Sequence, residues 1–149
     1  MIRRFVTADL GDVMEIWLMS NIEGHPDIDN RYWTSQYERF MVEQLLESKT
    51  YVYEIEGKIV GFASLNMQMM LNAINVHPDY QRAGIGEALL DELTNHTSKM
   101  YARVFVNNIK ALNFLNTNGF VVVENFFDEQ AQQQGLIMER IANEDRLTN

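Results

Sequence analysis

The chain contains no cysteine among its 149 residues, and it has only two prolines. The absence of cysteine excludes disulfides, cysteine-containing zinc sites and a cysteine nucleophile, and it fits a reducing compartment. Positive charge is also scarce, since 12 Lys and Arg stand against 21 Asp and Glu and leave a net charge of −9. We expect no nucleic acid partner, because phosphate neutralisation needs a basic face. The acidic balance instead suits cationic small molecules or basic protein segments.

Long apolar segments are missing as well. No run approaches the roughly 18 apolar residues of a membrane span, so no membrane partner is expected. Near the N-terminus, Arg3 and Arg4 are not followed by the apolar core of a secretory signal, and we predict a cytoplasmic protein. No repeat or linker divides the chain, and 46% hydrophobic residues supply one core. A single domain is therefore predicted over residues 1–142, followed by a polar tail at 143–149.

Hydrophobic periodicity predicts a mixed α/β layer architecture, with a central sheet of six to seven strands and about four flanking helices. The predicted strands are Ile2–Phe5, Thr50–Glu56, Lys58–Leu65, Leu71–Val76, Val104–Val106, Phe120–Val123 and Leu136–Ile141. The predicted helices are one capped by Thr7 or Asp9, one over Arg31–Leu46, one that opens at Gly84 and one over Ile109–Leu115. A turn at Glu56-Gly57 predicts a hairpin between the second and third strands.

The most informative segment runs from Ile74 to Gly86. A strand ends at Val76, a turn follows, and Gly84 and Gly86 stand where the next helix opens. The first N–H groups of a helix have no internal partner, and together with the helix dipole they form an anion pocket. Arg82 adds a side-chain charge, so a pyrophosphate is the expected ligand.

Several other sites are excluded by spacing. A Walker loop needs Lys and a hydroxyl residue, whereas Glu87 follows Gly86, and Leu89 replaces the third glycine of a dinucleotide fingerprint. The three histidines show no metal-ligand spacing, so no metal is predicted, and no G-x-S-x-G motif indicates a hydrolase. Two glycines alone are equally compatible with tight packing, and the neighbouring Gln81 and Arg82 favour a ligand.

At this segment the chain resembles the GNAT family of N-acetyltransferases, whose signature Q/R-x-x-G-x-G/A is matched from Gln81 to Gly86. A second family motif, N-x-x-A-x-x-F-Y-x-x-x-G-F, is similar to the segment from Asn108 to Phe120. The hairpin from Glu56 to Phe62 also resembles the family's second and third strands. The resemblance covers nearly the whole chain and implies the GNAT fold.

The resemblance implies acetyl-CoA as co-substrate, without a metal, and acetyl transfer to a primary amine by direct attack on the thioester. The implied acceptor is an amine-bearing small molecule, a protein N-terminus or a lysine, and both monomers and homodimers occur in the family. A backbone N–H near Val76 is expected to face the thioester oxygen and stabilise developing charge. The residues expected to hold acetyl-CoA are Ile74, Asn75 and Val76 at the pantetheine arm, Gln81, Arg82, Ala83, Gly84, Ile85, Gly86 and Glu87 at the pyrophosphate, and Asn108.

Three positions where relatives keep proton-transfer groups hold other residues here. Leu115 replaces a tyrosine that protonates the thiolate, while Arg103 and Met70 stand where relatives place a glutamate base. These departures favour an alternative hypothesis, in which the chain is an impaired CoA- or acyl-CoA-binding module that acts as a sensor or partner-binding domain. A third hypothesis is transfer of a larger acyl group, with an adaptable pocket formed by Met67, Met69, Met70 and Leu71.

Several residues are candidates to replace the missing proton-transfer groups, and each has a functional and a structural interpretation. His25 and Glu23 are acceptor contacts or simple loop residues, and Tyr101 and Tyr53 are proton donors or packing residues. The remaining candidates are His77 as a base or a turn residue, Asp27 and Asp29 as attractors of a cationic acceptor or solvated loop residues, and His96 at the surface.

The missing base predicts a preference among amines. A thiol with a pKa near ~8.5 departs as a thiolate without a donor. At pH 7 about 10% of an α-amine is neutral, against about 0.04% of a lysine side chain. We therefore expect the enzyme to favour α-amines or other amines of low pKa.

Overall fold

The computed structural model describes residues 1–141, which form one seven-stranded mixed sheet and four α-helices. The strands are β1 (Ile2–Arg4), β2 (Lys49–Ile55), β3 (Lys58–Leu65), β4 (Met70–Val76), β5 (Lys99–Phe105), β6 (Val121–Asp128) and β7 (Gln133–Ile141). The helices are α1 (Leu10–Gly24), α2 (Asn30–Arg39), α3 (Ile85–Thr94) and α4 (Ile109–Thr117). The predicted mixed α/β architecture is confirmed. The predicted boundary at residue 142 and the tail at 143–149 lie outside the described residues.

The sheet order is β1-β2-β3-β4-β5-β7-β6, and all neighbours are antiparallel except β4 and β5. These two parallel strands pair only at Met70 with Tyr101 and at Leu71 with Ala102. Beyond Leu71 both strands continue without pairing to each other, so the sheet opens at its centre. Two exposed backbone edges therefore face each other across a gap.

Helices cover both faces of this sheet and form two hydrophobic clusters. The α3/α4 cluster includes Leu89, Leu93, Met100, Leu115 and Phe120. The α1/α2 cluster includes Met14, Trp17, Trp33, Phe40 and Phe62. Within residues 1–141, no helix has the length and apolar character needed to cross a bilayer.

Strands β5, β6 and β7 are longer than the sequence analysis predicts. The predicted Val104–Val106 overlaps the end of β5, the predicted Phe120–Val123 overlaps the start of β6, and β7 begins at Gln133 instead of Leu136. In β5, buried Met100, Ala102 and Val104 alternate with more exposed residues, because successive side chains point to opposite faces. Contiguous apolar runs miss such strands, since only every second residue is apolar.

The second predicted helix changes type before its end. Its α-helical part is Asn30–Arg39, and Phe40–Leu45 continues as a π-helix. Phe40 and Leu45 are both buried at the two ends of this segment, whose backbone hydrogen bonds run from i to i+5. Helical spacing of 3.6 residues does not reveal this change.

The prediction that Thr7 or Asp9 caps α1 through a side-chain hydrogen bond is wrong. Thr7–Asp9 forms a 3₁₀ turn, and Asp9 stands at the N-cap without bonding to the helix. Its carboxylate accepts hydrogen bonds from the Val6 N–H at 2.9 Å and from both terminal nitrogens of Arg3 at 2.8 and 2.9 Å. Arg3 also binds Glu54 of β2 at 2.9 Å, so Asp9 ties the start of α1 to the sheet edge.

We expect Asp9→Asn to lower the free energy of unfolding by about 2 kcal/mol, because the buried charge-assisted bonds to Arg3 are lost. These bonds lower the pKa of Asp9 from 3.8. The stabilisation is therefore fully present above pH 3.8 and is lost as pH falls through the folded-state pKa. Urea denaturation at pH 7 and at lower pH measures it, with exposed Glu15→Gln as control. Equal stability of both variants at pH 7 would contradict the assignment.

Candidate active site

The gap between β4 and β5 opens into a cavity of about 700 Å³. It is lined by the second halves of β4 and β5, by the first turns of α3 and α4, and by the ends of α1 and α2. Both faces of the sheet therefore contribute side chains to one cavity. The predicted phosphate loop lies at its α3 side, and the segment between α1 and α2 lies at its other side.

The phosphate loop has the backbone conformation of an anion pocket. After the 3₁₀ turn Pro78–Tyr80, Arg82 and Gly84 adopt left-handed φ values of +68° and +77°, and α3 begins at Ile85. A Cβ at Gly84 would meet no atom within 4 Å, so the backbone conformation, and not crowding, requires glycine there. The free N–H groups of the ten-residue helix α3 consequently begin at the cavity wall.

Gly86 lines the cavity and also has a packing role. A Cβ at this position would meet the Phe114 ring of α4, at 3.0 Å from Cε1 and 3.3 Å from Cζ. Glycine therefore permits close packing of α3 on α4. A side chain at this position would meet the Phe114 ring before any other atom.

Gln81 connects the end of β4 to α4. Its amide nitrogen donates to the Val76 carbonyl at 3.1 Å, and its amide oxygen accepts from Lys110. Lys110 thereby places a second cation beside Arg82 at the cavity wall, a contribution that the sequence analysis missed. The sequence places this lysine two residues after the motif asparagine, but its position at the cavity depends on the tertiary contact with Gln81.

Most of the residues expected to bind acetyl-CoA line this cavity. They are Ile74, Asn75, Val76, Gln81, Arg82, Gly84, Ile85, Gly86, Glu87 and Asn108. Ala83 belongs to the same turn but is exposed and is not part of the cavity wall. Glu87 is exposed in the first turn of α3.

Asn108 joins the two sides of the cavity. Its side-chain oxygen accepts from the Ala111 N–H at 3.3 Å and caps α4, while its amide nitrogen lies 3.3 Å from His25 Nε2. Gly24 lies against the same amide, where a Cβ would come within 3.2 Å of Nδ2. The predicted cofactor contact is therefore also a structural bridge from α4 to the end of α1.

His25 lies in the cavity wall with only 5% of its surface exposed. Its Nδ1 lies 2.7 Å from the Asn21 carbonyl, and because a carbonyl only accepts, Nδ1 carries the proton. Nε2 then carries the lone pair and accepts from Asn108. The Trp33 ring lies 4.6 Å away, and burial lowers the pKa of His25 from its ordinary 6.5. The imidazole is therefore neutral and oriented, and its one lone pair faces the Asn108 amide.

The structure separates the other catalytic candidates. Glu23 lines the cavity, whereas Tyr101 does not; the ring of Tyr101 lies 5.7 Å from the Lys99 ammonium. Tyr53 packs against the α3/α4 cluster, away from the cavity. His77 accepts from the Asp79 N–H at 3.1 Å in the turn, and His96 binds the Tyr51 hydroxyl at 2.6 Å.

The two loop aspartates are engaged elsewhere. Asp27 accepts hydrogen bonds from Asn107 at 2.9 Å and Gln133 at 3.1 Å, and Asp29 pairs with Arg31 at 2.9 Å. Neither aspartate lines the cavity. The interpretation of these residues as attractors of a cationic acceptor is therefore replaced by a structural role in the α1–α2 loop.

The three departures from the family pattern have different surroundings. Leu115 is 4% exposed in the α3/α4 cluster, and Met70 begins β4 outside the cavity wall. Arg103 lines the cavity, and its guanidinium lies 4.0 Å from the centre of the Phe126 ring. Only Arg103 among them therefore presents a polar group to the site.

The proposed methionine pocket is wrong. Met67 is 88% exposed in the turn between β3 and β4, and Met69 is exposed in the same turn. Of the four residues named for an acyl pocket, only Leu71 lines the cavity. In residues 1–141, no three His, Asp or Glu side chains form a possible metal-ligand group.

Comparison with known proteins identifies the family. The family model described as acetyltransferase (GNAT) domain matches residues 24–138. The chain belongs to the GNAT acetyltransferase family. The peptidyl-lysine N-acetyltransferase YiaC from Escherichia coli (strain K12) is 31% identical to this GNAT chain over 138 residues, which cover 93% of the chain and 94% of YiaC.

Solved GNAT-type structures share the fold. The solution structure of apo-form YjaB from Escherichia coli has a TM-score of 0.81 at 22% identity, covering 95% of this chain and 97% of YjaB. YncA from Salmonella typhimurium, solved with its cofactor acetyl-CoA, has a TM-score of 0.67 at 20% identity and covers 95% and 92% of the two chains. At these identities the likeness establishes the GNAT architecture.

Proposed function

We propose that this GNAT chain is an N-acetyltransferase that uses acetyl-CoA to acetylate a primary amine by direct attack on the thioester. The observation that carries the proposal is the parting of β4 and β5 beside the glycine loop that opens α3. The family membership and the 31% identity to a peptidyl-lysine N-acetyltransferase support it.

The residues at the gap fit acetyl-CoA. Beyond Leu71, the β4 edge has no ladder bonds to β5, so its backbone is open to an extended arm that carries amide groups. The left-handed turn at Gly84 and the α3 N-terminus suit a pyrophosphate, and Arg82 and Lys110 supply positive charge. We propose that Ile74, Asn75 and Val76 bind the pantetheine arm in this way. When bound, acetyl-CoA supplies the thioester.

His25 is proposed as the proton acceptor. Its tautomer is held by Asn21 and burial keeps the ring neutral. Its Nε2 lone pair, in the cavity wall, becomes available to the amine proton when the 3.3 Å contact with the Asn108 amide opens. The attacking nitrogen becomes acidic as its bond to carbon forms, and a positioned neutral base then accepts the proton. A thiolate departs without a donor, which is compatible with the apolar Leu115.

The alternative is a CoA- or acyl-CoA-binding module without turnover. It is favoured by Leu115, Arg103 and Met70, which cannot act as the usual acid and base. In this case His25 is a packed structural residue, and the cavity binds the coenzyme without supporting transfer.

Thiol release from acetyl-CoA at about pH 8 tests the proposal. The acceptors are N-terminal peptides, blocked lysine peptides, polyamines and aminoglycosides, with an acceptor-free blank. We expect turnover with one amine class. A parallel assay at pH 7 is expected to show faster turnover of α-amines than of lysines, by up to about 250-fold from their neutral fractions. Equal rates for both classes would contradict the α-amine preference. Tight CoA binding without turnover across the panel would favour the binding module.

A further inference from the structure

The charge of the cavity wall is opposite to that of the whole chain. Four cationic side chains and two carboxylates line the cavity, although the sequence has 12 Lys and Arg against 21 Asp and Glu. The cations are Arg39, Arg82, Arg103 and Lys110, and the carboxylates are Glu23 and Glu87. Arg82 and Lys110 stand at the phosphate loop. Arg39 and Arg103 therefore remain as an excess of positive charge elsewhere in the cavity.

Within residues 1–141, no protein group neutralises the charge of Arg103. Its side chain donates no hydrogen bond and forms no ion pair there, and its guanidinium lies over the face of the Phe126 ring. By contrast, Arg39 donates to Glu43 at 3.0 Å. A guanidinium stacked on a ring keeps its N–H donors available at the edge, in a planar arrangement that matches a carboxylate.

The sheet separates Arg103 from the phosphate loop. Along β5, Ala102 and Val104 pack in the α3/α4 cluster, whereas Phe105 packs with the α1/α2 cluster. Because side chains two residues apart share a face, Arg103 points to the α1/α2 side with Phe105. Gly84 opens α3, on the opposite side. Arg103 is therefore not placed to share the pyrophosphate with Arg82.

Tyr32 of α2 lines the cavity together with Arg103 and with Arg39, the cation that is paired with Glu43; this α2 side of the cavity is its mouth. Partial burial and the charge of Asp128 raise the pKa of Tyr32, while Arg103 and Arg39 oppose this shift. Asp128 forms no ion pair with Arg103, and its carboxylate accepts from the Ala131 N–H at 2.9 Å. The positive charge at this mouth is thus available to a ligand.

Unpaired polar atoms lie in the wall of the same cavity. Within the described chain, the buried Ser20 Oγ, Trp33 Nε1 and Asn75 Oδ1 have no hydrogen-bond partner, and all three residues line the cavity. Buried polar atoms without partners are rare in proteins, and each calls for an explanation such as a water, an ion or a functional role. Trp33 Nε1 only donates and Asn75 Oδ1 only accepts, so together they suit a ligand with a carbonyl and an amine.

We propose that the acceptor of this enzyme carries a carboxylate close to its reactive amine and that Arg103 binds this carboxylate. The inference rests on the proposed function and names its substrate class. The carboxylate belongs either to an acidic residue beside the acceptor residue of a peptide or to a free amino acid. In both cases the bidentate contact orients the amine towards the gap between β4 and β5.

Matched acceptors test the proposal. Blocked Gly-Lys-Asp-Gly amide is compared with Gly-Lys-Asn-Gly amide, Ala-Asp-Gly amide with Ala-Asn-Gly amide, and free lysine with lysinamide. For the unmodified enzyme we expect kcat/KM to be about 10- to 100-fold higher for the carboxylate member of at least one pair, mainly through KM. In Arg103→Gln the ratio is expected to fall to near 1, and in Arg103→Lys to an intermediate value. The pair that responds identifies the source of the carboxylate.

Two controls separate this role from others. Exposed Arg31→Gln lies outside the cavity wall and is expected to leave every ratio unchanged. Calorimetric affinity for acetyl-CoA is expected to be the same in Arg103→Gln as in the unmodified protein. An equal loss of acetyl-CoA affinity would instead make Arg103 a coenzyme ligand and would overturn the proposal.

Failure of the proposed function gives a different result. In that case no acceptor releases thiol, and calorimetry with the same peptides measures their binding directly. A carboxylate preference in binding that Arg103→Gln removes would still support the anion site. The proposal would be refuted if the unmodified protein showed no difference between acidic and amide acceptors in either turnover or binding. It would also be refuted if a preference for the carboxylate persisted in Arg103→Gln.

Discussion

Gly86→Val is expected to lower the affinity for acetyl-CoA at least about tenfold. Its Cβ meets the Phe114 ring at 3.0 Å, and two further methyl groups cannot be accommodated without moving α3 away from α4. The first turn of α3 then shifts, and the N–H groups proposed to bind the pyrophosphate lose their position. Gly86→Ala adds only the Cβ, which needs a shift of a few tenths of an ångström, and is expected to have a small effect.

A second substitution separates packing from direct obstruction. In a Phe114→Ala background, which removes the ring that Val would strike, adding Gly86→Val is expected to change acetyl-CoA affinity little. If Val instead occupied the space of the pyrophosphate, the loss would be the same in both backgrounds. Calorimetry measures all four proteins, and thermal unfolding monitors their stability. Asp91→Val, at an exposed position of α3, controls for a β-branched residue in this helix.

His25→Gln is expected to lower kcat by about 10²- to 10³-fold, because a positioned proton acceptor contributes on this scale. Glutamine keeps hydrogen-bonding capacity but has no basic nitrogen, so the expected loss is mainly in kcat. His77→Asn is the matched control, since asparagine can still accept from the Asp79 N–H in the turn. Steady-state kinetics with a fixed acceptor measures both variants. An unchanged kcat in His25→Gln would remove His25 from the chemistry.

The pH profile distinguishes a base from a packing residue. Burial lowers the pKa of His25 below 6.5, so kcat is expected to fall as pH drops through this lowered value. His25→Gln is expected to lose this inflection, whereas a merely structural histidine would leave it in place.

The free energy of unfolding is also expected to decrease as pH falls, in the same direction as kcat. Between the lowered pKa of His25 and 6.5, the unfolded chain binds more protons than the folded chain. The free energy of unfolding is therefore highest above pH 6.5 with respect to this group and decreases as pH falls through the folded-state pKa. Denaturation midpoints across this range, compared between the unmodified protein and His25→Gln, check the sign.

The parts of this protein that the sequence predicted correctly depend on neighbours along the chain. The hairpin around Glu56-Gly57 has left-handed φ values of +50° and +80°, and Gly84 has the left-handed φ that opens α3. Turns and helix starts depend on a few neighbouring residues, so they can be predicted from the sequence without a structure. The GNAT motifs can be identified in the sequence for the same reason.

The predictions from sequence were wrong for a strand whose two faces differ in polarity and for a helix that changes its hydrogen-bonding pattern. In β5, Met100, Ala102 and Val104 pack in the α3/α4 cluster and alternate with residues such as Lys99 and Arg103 that belong to neither cluster. The contiguous apolar run is therefore shorter than the strand. The π-helix at Phe40–Leu45 replaces the i→i+4 hydrogen bonds of an α-helix by i→i+5 bonds in a segment that buries both of its end residues. Packing, and not local propensity, determined these segments.

The sequence by itself determined the family, the order of strands and helices, and the loop proposed to bind pyrophosphate, because short-range patterns carry this information. Only the tertiary structure decided what the side chains of that site do. His25 is aligned by Asn21 nearby but reaches Asn108 across 83 positions, and Gly86 packs on Phe114 of another helix. Such contacts follow from how the sheet brings distant segments together, so burial, tautomer and charge at the cavity emerge only when the chain is folded.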